Sequence, residues 1–162
     1  LNDINIYLEF KDGIQQVYLN ENNITEKIRT QEISKISSVI AKIPEVREKL
    51  LIMQRNIAKD KNIIMDGRDI GTNVLPNANV KIYLDADVEE RAKRRCNEIS
   101  LKGEAFDYEK IVAEIKERDE ADKNREIAPL KKAEDAISIN TTNMSIQEVT
   151  EEIIKTIKQN IK

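Results

Sequence analysis

The 162 residues contain no histidine, no tryptophan, one cysteine, four glycines and three prolines, and aromatic side chains make up only 4%. Each shortage excludes something. Without histidine there is no Ser–His–Asp or Cys–His nucleophile system and no His-bearing zinc site. One thiol, Cys96, cannot close an internal disulfide, which fits a reducing compartment and gives a cytoplasmic expectation. No apolar run approaches the roughly 20 residues of a membrane span, and no segment reads as a signal peptide. A net charge of −3 lacks the basic excess of a general nucleic-acid or membrane-surface binder. Any anion it binds must therefore be met by a local cluster of cations.

What is present is a soluble, helix-rich pattern with 40% hydrophobic and 35% charged residues. Ile4, Ile6, Leu8 and Phe10 share one parity, "KDG" at 11–13 offers a turn, and Val17 and Leu19 resume the alternation. This predicts a half-buried antiparallel hairpin. From Thr30 the period lengthens, with Ile33, Ile36, Ser37 and Ile40 on one face. Pro44 then opens a second helix with Val46, Leu50 and Met53 on its apolar side. After residue 61 the texture becomes α/β. "NIIM" (62–65), "VKIYLDA" (80–86) and "AISIN" (136–140) read as short parallel strands. "DVEE" (87–90) reads as a capping box opening a helix that Gly103 breaks. A second helix spans about 107–124, and Ser145 with Glu148 caps a last one, with Ile153, Ile154 and Ile157 facing inward. The order predicts an α/β fold, a parallel sheet flanked by helices, in two parts: 1–60, with the hairpin and two helices, and 61–162, the α/β core.

Three groups carry candidate chemistry. "MDGRDIGT" (65–72) places Arg68 and Asp69 at the end of an expected strand, where α/β sheets collect ligands. Arginine offers a planar fork for phosphate, and aspartate accepts from an amine or hydroxyl. The pair alone is equally compatible with a loop-closing salt bridge. Arg91, Arg94 and Arg95 fall on one helix face, where they repel unless an anion or an acidic partner such as Glu90 or Glu98 neutralises them. Arg118, Asp122 and Arg125, spaced by four and three, share another face. The topology brings all three groups to one sheet edge, as phosphoryl transfer requires, because charge developing on the moving group must meet fixed cations.

Three stretches, "IRTQEISKISSVIAKIPEVREKLLIMQR", "MDGRDIGTNVLPNANVKIYLDADVEERAKRR" and "AEIKERDEADKNREIAPLKKAEDAISINTT", resemble bacterial cytidylate (CMP) kinase, from about residue 5 onward. The resemblance implies a nucleoside-monophosphate-kinase, P-loop-type fold with a small antiparallel insert, for which the hairpin is the match. It implies ATP as donor, CMP or dCMP as acceptor, and magnesium with the ATP, with no metal held by this chain's own side chains. By position, Ser38, Arg47 and Asp69 resemble the residues that read cytosine. Arg68 resembles an acceptor-phosphate ligand assisted by Arg125, and Arg118 and Asp122 resemble residues that hold the ribose and line the transfer path. Arg68, Arg118 and Arg125 are thus the catalytic set. Arg91, Arg94 and Arg95 fall in a lid, around 91–106, that closes over ATP.

The family's first strand and its G-x-x-x-x-G-K-[ST] loop have no match: the glycines stand at 13, 67, 71 and 103. Such a loop supplies the backbone cradle for donor phosphates, a lysine and a magnesium-binding hydroxyl. The expectation is a fragment of a longer enzyme, inactive by itself, which self-associates through an exposed sheet edge while its full-length parent is a monomer. The alternatives are a non-catalytic nucleotide-binding module and a kinase for another nucleoside monophosphate such as UMP.

Overall fold

A computed structural model describes residues 4–59 and 62–161, apart from the side chains of Gln31, Ser34, Lys35 and Ser38. The chain forms two compact units, Leu1–Met65 and Asp66–Lys162.

In the first unit, strands β1 (Ile6–Lys11) and β2 (Ile14–Leu19) pair antiparallel, with Ile6 opposite Leu19. Asp12 and Gly13 form the two-residue turn with φ of 53° and 77°. Two consecutive left-handed residues give the turn whose twist matches a hairpin, and Asp-Gly adopts it readily. The opposed Tyr7 and Tyr18 rings stack with centroids 4.8 Å apart. A third short strand, β3 (Asn22–Asn23), adds to β2 and had no signal in the sequence pattern. Thr25 locks it: its hydroxyl accepts from the Val17 N–H and donates to Gln16.

Helix α1 (Gln31–Ile40) begins at Thr30, whose hydroxyl accepts from the Ile33 N–H, and α2 (Pro44–Ala58) carries Pro44 in its first turn. Among the described side chains of this unit only Thr25 is buried. The expected half-burial of the hairpin holds on β2, where Val17 and Leu19 are part-buried, and is corrected on β1, where Leu8 is 42% and Phe10 75% exposed.

In the second unit β4 (Ile82–Asp85) and β5 (Ile137–Asn140) pair parallel, Ile82 with Ile137. The strand expected at 62–65 does not form, and Ile64 is 89% exposed. An apolar run becomes a strand only with a ladder partner, and residues 62–65 pair with neither β4 nor β5. Helix α3 (Val88–Leu101) packs on α4 (Tyr108–Asn124) through Ala92, Cys96, Ile99, Ile111 and Val112, the core of this unit. α3 ends in a Schellman motif: left-handed Gly103 donates to Ser100 O and Glu104 to Ile99 O.

The capping box expected at Asp87 is not made, because Asp87 makes no side-chain cap. The Thr142 hydroxyl takes the Asp87 N–H, and Glu90 pairs with Arg94. The box at Ser145 and Glu148 is complete and starts α5 (Ile146–Asn160). On α5, Thr156 is buried while Ile154, expected inward, is 45% exposed. No described helix is long and apolar enough to cross a membrane.

Candidate functional site

The site is built where the "GRD" segment meets the end of α4. After Gly67 the backbone enters a single π-helical turn, Ile70–Val74, in which Val74 N–H donates to Asp69 O and Leu75 N–H to Ile70 O. Such turns are rare and often mark functional positions. A Cβ on Gly67 would lie 2.9 Å from Ile70 Cγ1, so this glycine lets the turn close. Asn73 Nδ2 donates to Asp69 Oδ2 at 3.1 Å, which orients the carboxylate from within the same turn.

Asp122, on α4, meets three guanidiniums. Arg68 Nε donates to its Oδ2 at 3.1 Å, Arg125 Nη1 lies 3.8 Å from Oδ1, and Arg118 Nε lies 4.0 Å from Oδ2. Arg125 Nη2 also approaches Asp69 Oδ1 at 3.3 Å, off its N–H axes, so this buried nitrogen makes an ion pair but has no hydrogen-bond partner among the described residues. Three cations and two carboxylates leave one positive charge in excess.

The burial is graded. Arg125, Asp69 and Asp122 have side chains 12%, 14% and 17% exposed, whereas Arg68 and Arg118 are 46% and 49% exposed. The inner three are largely buried and the outer two half exposed. Arg91 ties this cluster to the sheet: its Nε donates to Ala86 O, just past β4, and its two terminal nitrogens fork onto Asp119, one turn before Asp122. That hydrogen bond raises the already high pKa of Arg91, so it is a permanent cation. Arg68, Asp69, Arg118, Asp122 and Arg125 therefore form one cluster around the end of α4, whose preceding turn Arg91 ties to the backbone just past β4.

The other expected site residues are placed differently. Arg91, Arg94 and Arg95 do not converge. Arg94 pairs with Glu90 and donates to the Thr141 and Met144 carbonyls, holding the loop after β5, while Arg95 pairs with Glu98 at the surface. Arg47 stands on α2 in the first unit, where its Nη1 donates to Ala41 O at 3.3 Å. Ser38 lies on α1, and its side chain is outside the described set. Asn73 was missed by sequence reasoning; only its position four residues after Asp69 could have suggested it. Among the described residues no three of Cys, Asp and Glu gather as a metal site. Asp69 and Asp122 are turned toward arginines.

Fold and site thus define an α/β protein that gathers guanidiniums, steadied by carboxylates, where the "GRD" segment meets the end of α4. The cytidylate kinase family model matches residues 1–159, and the chain belongs to that family. It is 52% identical over 155 residues to a cytidylate kinase of Caldicellulosiruptor bescii, covering 96% of this chain and 69% of the relative. A cytidylate kinase of a Geobacillus species is 49% identical over 159 residues, covering 97% and 71%. That of Bacillus subtilis is 51% identical over 149 residues, covering 92% and 66%.

Proposed function

We propose that this chain carries the acceptor side of a phosphoryl transfer from ATP to CMP or dCMP, giving the diphosphate. The observation that carries the reading is the convergence of Arg68, Arg118 and Arg125 on Asp69 and Asp122. It is supported by the family membership and by relatives named cytidylate kinases. In this reading the half-exposed Arg68 and Arg118 swing from Asp122 onto the acceptor phosphate, which they match as planar forks. Arg125 stays behind them and holds both carboxylates in register. Asp122, relieved of Arg68, accepts from a ribose hydroxyl, and Asp69 accepts from the exocyclic amine of cytosine.

Arg95 is the member of its trio able to turn toward donor phosphates without undoing a tie between elements. Magnesium, arriving with ATP, supplies charge neutralisation on the donor phosphates. The 162 residues contain no G-x-x-x-x-G-K-[ST] motif. Losing even one fixed transition-state donor costs roughly 10²–10³ in rate, so by themselves they bind the acceptor and do not turn over.

Calorimetric titration of the chain with CMP, dCMP and UMP, beside a coupled assay with ATP, tests this. CMP binding tighter than UMP without turnover is expected. A UMP preference, or kinase-like turnover by the 162 residues, contradicts the reading.

A further inference from the structure

Just beyond α4 the chain makes a turn that closing the helix does not explain. Arg125 is already extended, with φ −66° and ψ 141°, yet three residues on Ala128 has φ +50°. The other described non-glycine residues of positive φ are Asp12, Asn20 and Asn143, types whose short polar side chains tolerate the left-handed region. Alanine has no such side chain. Pro129 follows, and proline ordinarily pushes its predecessor to extended backbone of negative φ. Ala128 departs from both preferences, and such outliers persist where their surroundings impose them.

The surroundings are the site. The Ala128 carbonyl accepts from Arg125 Nε at 2.5 Å, and the Leu130 N–H donates to Asp122 O at 2.8 Å. The turn is thus strapped to two members of the cluster at once. A guanidinium is planar, so fixing its Nε–H direction fixes the plane that carries its remaining donors. For Arg125 those are the nitrogens facing Asp122 and Asp69, one of them buried without a hydrogen bond of its own among the described residues.

We propose that Ala128 is a positioning residue whose left-handed backbone turns its carbonyl onto Arg125 and so sets the plane in which that guanidinium meets the acceptor nucleotide. This rests on the acceptor-site reading above. Glycine would adopt the same φ at no steric cost but would hold the carbonyl less narrowly.

Nitrogen-15 NMR of the Arg125 Nε–H in the unsubstituted chain, read beside CMP titration of variants, tests the proposal. A slowly exchanging Nε–H is expected. Ala128→Val, a β-branched residue at positive φ, releases it and weakens CMP binding about 10-fold, in line with one charge-assisted hydrogen bond. Ala128→Gly keeps both. In an Arg125→Lys background, which keeps the charge but lacks the fork, Ala128→Val adds no further loss. An Nε–H exchanging as fast as an exposed arginine's overturns the clamp, whether or not the valine variant folds. An equal fold-loss in both backgrounds also overturns it. A protected Nε–H with no CMP affinity overturns the acceptor-site reading and with it the purpose of the clamp, whereas CMP affinity with an unprotected Nε–H overturns the clamp alone.

Discussion

Arg118 and Arg125 attend the same carboxylate from opposite environments, one half exposed and the other 12% exposed. Exposed ion pairs contribute little to stability, so Arg118→Ala should shift urea unfolding by no more than about 0.5 kcal/mol. It should nevertheless weaken CMP binding by roughly 10–100-fold, the value of a hydrogen bond to a charged group. Arg125→Ala strips a buried partner from two carboxylates and should cost about 1–3 kcal/mol of stability as well. Equal stability losses in the two variants would contradict the graded site. Asp69→Ala should narrow the margin by which CMP is preferred over UMP in calorimetry; an unchanged margin would remove Asp69 from base recognition. The spacing of Arg118 and Asp122 announced a shared face of α4, but Arg125 follows the helix in extended backbone, and the meeting with Arg68, 54 positions from Asp122, was not legible because the strand expected to carry Arg68 does not form. The Ala128 conformation could not be read, because nothing in an alanine's identity encodes a positive φ.

At the scale of elements, two start signals that look alike in sequence behave differently. Ser145 and Glu148 form the box they spell, while the N–H of Asp87 goes to Thr142, 55 residues away, a tertiary competitor that local sequence does not reveal. The Ser145 hydrogen bonds hold the Glu148 carboxyl below its usual pKa. A depressed folded-state pKa contributes stability that is present above the unfolded value, near 4.5, and is lost as pH falls through the folded one. The thermal stability of the chain should therefore fall on acidification below that value, and Glu148→Gln, which keeps the geometry but does not titrate, should flatten this acid limb. An identical acid limb in both would rule out Glu148 as its source. The run at 62–65 misled for a related reason: its apolarity is that of a strand, but strand formation is decided by a neighbour.

At the scale of the molecule, two units carry different halves of the expected recognition set. Arg47 and Ser38 lie in Leu1–Met65, and the arginine–carboxylate cluster lies in Asp66–Lys162. The fold class was legible because the alternation of short apolar runs with amphipathic helices survives in β4, α3, α4, β5 and α5. The surface position of the hairpin and of α1 and α2 was not, since periodicity identifies an apolar face without saying what covers it. In the proposed function the guanidinium cluster takes the acceptor phosphate. A crystal structure of the chain with CMP tests it most directly. The phosphate is expected within hydrogen-bond distance of Arg68 and Arg118, with Arg125 behind them still bound to the Ala128 carbonyl. Nucleotide bound elsewhere, with Arg68 and Arg118 still paired to Asp122, would contradict it.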